Sequence, residues 1–136
     1  MTDENTILDH SFDDVVEPTV LDADTEAELR IVSVRVDNDK NGYPYMLPFF
    51  EVVSDDYAKE FNHFIRLPHD ELSAKDLNKA KYQLKMFYDT FGVDYSRGVN
   101  PGEDLPGKTG WAIVGMKESS FSGEEENYVK RFIEGR

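Results

Sequence analysis

Aromatic side chains recur at alternate positions of one central segment, a pattern that suits stacking against nucleic-acid bases. Tyr43, Tyr45 and Phe49 occupy odd positions between residues 43 and 53, and Phe50 occupies an even one. Because successive side chains of a β-strand point to opposite faces, the first three share one face and Phe50 takes the other. Bases stack on exposed rings, while Lys and Arg side chains follow the phosphates. The pattern predicts a surface for a single-stranded nucleic acid, with Phe50 in the core.

Further aromatic and basic residues from the neighbouring segments extend this predicted surface. The predicted nucleic-acid-binding residues are Arg35, Lys40, Tyr43, Tyr45, Phe49, Lys59, Phe64, Arg66, Lys108, Trp111, Lys117 and Arg131. A small domain also needs aromatic rings to fill it, so we expect at least half of the aromatic residues in the middle strands to be core. Trp111 is either an exposed stacking platform or a buried plug. The lysines of the predicted helix are interpreted as a solvated face.

Hydrophobic periodicity and turn residues divide the rest of the chain into short elements. Alternation predicts strands over 29–37, 43–53, 59–67, 108–117 and 127–133, and Asn41-Gly42 predicts a hairpin turn after the first. Apolar residues at spacings of three and four predict one helix over 74–91, with Ser73 as its N-cap. Pro44 and Pro48 cannot donate to a ladder, so the second strand is expected to be an edge or a bulged segment.

The order of these elements, β-β-β-α-β-β, predicts a mainly β fold. We predict a five-stranded OB-fold Greek-key barrel with one α-helix between strands 3 and 4. An independent sandwich or an α+β roll also fits the number of elements.

Nothing in the sequence supports catalysis. Asp55-Asp56 and Glu124-Glu125-Glu126 are interpreted as solvated turns rather than a cation site, and Gly107-Lys108-Thr109-Gly110 lacks the spacing of a phosphate-binding loop. The chain has no cysteine, and its three histidines are scattered. His63 lies in an apolar strand and is expected to be a packing residue. We therefore predict a protein that is not an enzyme and needs no metal or cofactor.

The net charge of −13 at first opposes a nucleic-acid partner, but the acidic residues are unevenly distributed. Residues 1–26 hold nine of the 28 acidic residues and no Lys or Arg, which leaves 19 acidic against 15 basic residues in 27–136. We predict a flexible acidic arm over 1–26 and an OB-fold domain over 27–136. The apolar residues of the arm leave two alternatives, a plain leader or a peptide that docks on a partner or over the protein's own groove.

Several motifs resemble those of small phage-encoded OB-fold proteins from replication and recombination modules. The resemblance covers roughly residues 27–133 and rests on Ala27-Glu28-Leu29-Arg30-Ile31, Asn41-Gly42-Tyr43-Pro44-Tyr45, Phe91-Gly92-Val93-Asp94, Gly107-Lys108-Thr109-Gly110-Trp111-Ala112 and Asn127-Tyr128-Val129-Lys130-Arg131-Phe132. These motifs are structural glycines and aromatic residues rather than catalytic signatures. The resemblance implies single-stranded-DNA binding in DNA replication or recombination of a bacteriophage. This chain departs from it in charge, since its strands are less basic than tight DNA binding requires.

The leading hypothesis is a sequence-tolerant, non-catalytic single-stranded-DNA-binding protein. In it the acidic arm competes for the cationic groove or recruits replication or recombination proteins. The alternative is an OB-fold protein-interaction module that binds a phage or host protein through its acidic surface. The choice between DNA and RNA, the site size and the oligomeric state, including a homo-oligomer paired through an edge strand, stay open.

The N-terminus and the distribution of apolar residues predict a cytoplasmic protein in the host cell. Residues 1–5 are acidic and show neither the basic nor the apolar region of a secretory signal. No run of 18 apolar residues is present, so we expect no membrane partner.

Overall fold

The computed structural model of the chain describes residues 11–136, which form one curled antiparallel sheet with one main helix. Its elements are β1 (Thr25–Asn38), β2 (Pro44–Val52), β3 (Phe61–Asn62), β4 (Ile65–Arg66), α1 (Ala74–Thr90), α2 (Pro101–Asp104), β5 (Thr109–Glu118) and β6 (Glu125–Ile133). Of these described helices, none is long and apolar enough to cross a membrane.

The strand order confirms the predicted fold class. The sheet runs β3-β2-β1-β5-β6, and β4 also pairs with β2. β5 therefore returns beside β1 after the β1-β2-β3 meander, which is the Greek-key arrangement. β3 and β4 are two pieces of the predicted third strand, so the sheet is the five-stranded OB-type half-barrel, with α1 between its third and fourth strands.

β1 is the strand that lets the sheet curl. Its first residues pair with β5, from Thr25 opposite Val114 to Arg30 opposite Thr109, and its later residues pair with β2. The register on β2 shifts between Ile31 and Ser33, which marks a β-bulge. A bulge bends the strand and increases its twist, so one strand can serve both halves of the barrel.

The prolines of β2 have a different effect on the sheet from the one that we predict from the sequence. β2 is an interior strand, paired with β1 on one side and with β3 and β4 on the other. The pairs on the second side are Phe49 with Asn62 and Tyr45 with Arg66, and Pro48 lies between them. Because Pro48 has no N–H to donate, the ladder breaks there and the third strand becomes two short pieces.

Aromatic rings from three elements fill the barrel. Phe50 of β2 is fully buried and lies 5.6 Å from Phe91 in a nearly parallel stack, with an interplanar angle of 7°. Phe87 of α1 and Phe132 of β6 complete the cluster, each with its ring centroid 6.5 Å from that of Phe50. Aromatic pairs in such arrangements contribute about 0.5–1.5 kcal/mol each beyond the area they bury. This cluster holds the helix against the inner face of the sheet.

The ends of α1 follow from local sequence. The Ser73 hydroxyl accepts a hydrogen bond from the backbone N–H of Asp76 at 3.2 Å, which confirms Ser73 as the N-cap. Gly92 follows the last turn with φ of +65°, a value that glycine adopts without a steric penalty. The helix thus begins and ends within one residue of its prediction.

One side of the barrel is not closed by a ladder. In residues 11–136, β3 and β6 share no strand pairing. The gap is spanned by side chains: His63 meets Phe132 edge-on at 5.3 Å, and Lys59 Nζ lies 3.2 Å from a carboxylate oxygen of Glu124.

The last part of the predicted arm fills this gap. The N–H of Thr19 donates to the carbonyl of Tyr57 at 2.9 Å, and the N–H of Lys59 donates to the carbonyl of Thr19 at 2.7 Å. Asn127 holds Leu21 at both backbone groups: its Oδ1 accepts from the N–H at 2.9 Å and its Nδ2 donates to the carbonyl at 2.9 Å. Residues 11–18 are exposed, and residues 1–10 of the predicted arm lie outside the described residues.

We expect Asn127→Ala to lower the free energy of unfolding by about 1–3 kcal/mol, since it removes the side-chain partner of the partly buried backbone groups of Leu21 and of the buried carbonyl of Gly115. Urea denaturation followed by circular dichroism measures the loss. Asn78→Ala, at an exposed position of α1, is the matched control and should change stability by less than about 0.5 kcal/mol. Equal effects of the two substitutions would show that Asn127 does not hold the segment.

Candidate functional site

The outer face of β2 carries aromatic and apolar side chains that the core does not use. Along the strand, Met46, Pro48, Phe50 and Val52 are buried, and the residues between them are only partly covered. Tyr45 and Phe49 therefore share the outer face, and Phe50 lies in the core as predicted.

Neighbouring strands place a second ring and two guanidinium groups beside Tyr45. Phe64, which precedes β4, stacks on Tyr45 at 5.2 Å with an interplanar angle of 30° and is 54% exposed. In the sheet, Arg66 of β4 lies opposite Tyr45. Arg35 of β1 lies opposite Leu47, two residues further along β2. We call Arg35, Tyr45, Phe49, Phe64 and Arg66 the aromatic face.

The two arginines of the aromatic face differ in their electrostatic partners. Arg35 Nη2 lies 3.1 Å from Asp37 Oδ2, and this hydrogen bond raises the pKa of Arg35. The pKa of Asp37 is lowered, first by the backbone N–H of Asn38 and then by Arg35. For Arg66, the described residues place no carboxylate oxygen within 4.0 Å. Both cations are exposed and can meet an incoming phosphate.

The turn between β1 and β2 adds one further cation at this end of the face. Asp39 Oδ1 accepts from the N–H of Asn41 at 2.8 Å and from that of Tyr43 at 3.0 Å, and Gly42 has φ of +82°. Lys40 is exposed in this turn, three residues before Tyr43. The Tyr43 ring itself stacks on His69 at 4.7 Å, so one side of it is covered.

The other predicted binding residues lie away from the aromatic face. Trp111 pairs with Glu28 of β1, whereas Tyr45 pairs with Asp37, nine positions further along the strand. At about 3.3 Å per residue, this separates them by roughly 30 Å along β1. The Trp111 ring is half-buried on the outer side of β5 under the Arg136 guanidinium, 5.3 Å away, and is neither an open platform nor a barrel plug.

Three of the four remaining predicted cations are likewise dispersed. Lys59 pairs with Glu124 across the barrel gap, and Lys117 lies 3.9 Å from Glu126 and above the ring of Tyr128. Lys108 is exposed just before β5, whereas Arg131 of β6 lines a hollow of about 300 Å³ with Phe64. The sequence could not place these residues because strand pairing across the barrel, not distance along the chain, decides which cations meet.

Two helix residues border the aromatic face although they were not predicted. Lys79 and Gln83 line a groove of about 280 Å³ together with Phe64 and Arg66. Their spacing of four puts them on one side of α1, a signal that the sequence contains. Only the fold shows which element this side of α1 approaches.

At the opposite end of β2, the arm contributes to the surface. Val16 and Pro18 line a depression of about 390 Å³ with Arg30, Glu51 and Tyr57. Arg30 and Glu51 form an ion pair at 2.7 Å. The acidic arm therefore lies beside the outer face of the same strands that carry the aromatic face.

His63 behaves as a packing residue. Burial, and secondarily the charge of Lys117, lowers the pKa of His63 to about 4. Its ring is therefore neutral at pH 7, where it packs edge-on against Phe132. Within residues 11–136, no group of three or more His, Asp or Glu side chains is placed to hold a metal ion.

No protein-family model matches this sequence, and comparison with curated proteins gives no match. The resemblance to phage-encoded OB-fold proteins stays a prediction from sequence motifs.

We expect His63 to make the protein less stable as the pH falls from about 6.5 to about 4. In this window the unfolded chain takes up a proton at His63 and the folded chain does not, so folding loses up to about 3 kcal/mol. Above pH 6.5 both states are neutral at this site, and the full stability is present. Urea unfolding of wild type and His63→Leu across the window measures the effect. The variant should show a flatter pH dependence, and equal slopes would contradict the assignment.

Proposed function

We propose that this chain is a sequence-tolerant, non-catalytic single-stranded-DNA-binding protein. The observation that carries the proposal is the stack of the partly buried Tyr45 ring on the exposed Phe64 ring, with Arg35 and Arg66 on the same outer face of the half-barrel. OB-type barrels take oligonucleotides on the face of their second and third strands, and this is where the stack lies.

Base stacking and local positive charge favour the binding of single-stranded DNA despite the acidic composition of the chain. Base stacking on aromatic rings contributes about 1–3 kcal/mol per base and needs no particular sequence. Arg35, Lys40 and Arg66 supply local positive charge at one end of the face. If these three cations each contact a phosphate, the affinity falls with salt with a logarithmic slope of about −2. Exposed charges further away than about 10 Å are screened at moderate salt, so the remote acidic residues oppose binding only weakly.

The biological setting follows from the motif resemblance alone. Proteins of the phage-encoded family that the motifs resemble serve DNA replication and recombination in the cytoplasm of the host cell. We extend that role to this chain as part of the same proposal.

The arm favours a second candidate function, the binding of a protein partner. Phe12, Val15 and Val16 are 78%, 67% and 49% exposed, and they alternate with Asp13, Asp14 and Glu17. An exposed peptide of this kind suits a groove with an apolar floor and a basic rim. A replication or recombination protein is the proposed partner, and the half-barrel would then be an interaction module.

We expect Tyr45→Ala and Phe64→Ala each to weaken binding of a fluorescein-labelled oligo-dT of about 30 nucleotides by about 5- to 150-fold, the equivalent of one lost stack. Tyr82→Ala is the control, because Tyr82 is 61% exposed on α1 and lies outside the aromatic face. Fluorescence anisotropy at low and moderate salt measures all four proteins.

Two results would contradict the proposal. Wild-type protein that fails to bind oligo-dT at tens of micromolar at low salt would overturn DNA binding and leave the protein-interaction module. Equal weakening of DNA binding by Tyr45→Ala and Tyr82→Ala would show that the DNA lies elsewhere on the protein.

We expect neutralisation of the arm to tighten DNA binding several-fold at low salt, because Asp13, Asp14 and Glu17 flank Val16 beside the outer face of β2 and repel phosphates over a longer distance when screening is weak. The variant is Asp13→Asn, Asp14→Asn, Glu17→Gln, which keeps the segment around Thr19 and Leu21 that closes the barrel. Glu103→Gln, Glu118→Gln, Glu134→Gln removes three exposed charges elsewhere and is the control. The difference should vanish at high salt. Equal affinities of the two variants at low salt would show that the arm does not compete.

A further inference from the structure

The aromatic face continues past the edge of the sheet into a groove between β4 and α1. This groove, of about 280 Å³, is lined by Phe64, Arg66, Asp76, Lys79, Ala80 and Gln83. A second hollow of about 300 Å³ follows, and it shares Phe64 and Gln83 with the first. Phe64 therefore stands at a junction, with Tyr45 on one side and the groove on the other.

The helix presents one consistent side to this groove. Lys79, Ala80 and Gln83 follow Asp76 at three, four and seven positions, so all four lie on one side of α1. Ala80 is 3% exposed and forms the floor, where a larger side chain would fill the groove. Lys79 and Gln83 are exposed at the rim, and both carry hydrogen-bond donors.

The charge of the groove differs in sign from that of the whole protein. Arg66 and Lys79 oppose the single carboxylate of Asp76 in the first hollow, and Arg131 and Lys130 line the second. Lys130 is paired with Asp24 at 2.5 Å. For Arg66, Lys79 and Arg131, no carboxylate oxygen of the described part of the chain lies within 4.0 Å. These three cations are available to an anionic ligand.

Lys79 differs from the other lysines of α1, so the basic side of the groove is more than a solvated helix face. Lys85 is paired with Asp89 at 2.7 Å, and this hydrogen bond raises the pKa of Lys85. Lys75 and Lys81 are exposed and line neither hollow. Lys79 is thus distinguished from its neighbours by its position beside Phe64 and Arg66.

We propose that the groove between β4 and α1 is a phosphate subsite for single-stranded DNA. A strand whose bases stack on Tyr45 and Phe64 leaves the sheet through this groove, where Arg66 and Lys79 pair with its phosphates and Gln83 donates a hydrogen bond. The ligand chemistry is a single-stranded phosphodiester backbone, because the bases of a duplex are paired and stacked on each other and are not free to stack on Tyr45 and Phe64. This inference rests on the proposed function and adds the path of the strand.

The test compares Lys79→Gln with Lys81→Gln, which removes the same charge from the same helix. Anisotropy with the labelled oligo-dT of about 30 nucleotides is recorded over a series of salt concentrations. We expect Lys79→Gln to lose about three- to tenfold in affinity at low salt and to reduce the magnitude of the salt slope by about 0.7, the value for one phosphate contact on a single strand. Lys81→Gln should stay within about twofold of wild type with an unchanged slope. Both positions are exposed, and circular dichroism confirms that the variants are folded.

The outcomes separate this inference from the function on which it rests. Equal affinities and slopes for Lys79→Gln and Lys81→Gln, together with weak binding by Tyr45→Ala, would overturn the phosphate subsite and leave DNA binding on the aromatic face intact. Wild-type protein that does not bind oligo-dT would overturn both. A Lys79→Glu variant that binds more weakly than Lys79→Gln would support the subsite further, because it places a repulsive charge at the rim.

Discussion

The alternation of side chains along β2 is the constraint on which the rest of the structure depends. Phe50 has to point inward, because it joins the rings of Phe87, Phe91 and Phe132 in the centre of the barrel. With Phe50 inside, Tyr45 and Phe49 point outward. A register slip of one residue would bury the tyrosine and expose the core ring, so packing inside the barrel also determines which rings are displayed outside.

The open side of the barrel explains why the chain before β1 is part of the fold. OB-type closure brings the third strand towards the last, but here the two are joined by a few side chains rather than by a ladder. Unpaired strand edges attract other chains. Thr19 and Leu21 occupy part of this edge, and the Asn127 amide holds them there. The same attachment brings the acidic residues before Thr19 close to the outer face of β2.

Net charge is a poor guide to the surface chemistry of this protein. Residues 1–26 carry −9 of the −13 net charge, whereas three cations without a nearby carboxylate in the described chain lie around Phe64. An exposed charge acts over about 10 Å at moderate salt, so the local arrangement outweighs the sum. Only a small part of the basic content needs to be concentrated for an acidic protein to present a cationic groove.

The sequence by itself determined the main helix, the first hairpin turn and the inward position of Phe50. Ser73, Gly92, Asn41-Gly42 and the alternation around Phe50 act through local geometry, which neighbours along the chain decide. The OB-type order also followed from the succession of elements. Only the tertiary structure decided which distant residues meet. It put Phe64 on Tyr45 and Lys79 beside Phe64, and it placed Trp111 about 30 Å along β1 from Tyr45. It also folded residues 19–24 of the predicted flexible arm onto the barrel, because the buried amide of Asn127 has its partners in Leu21, 106 positions away.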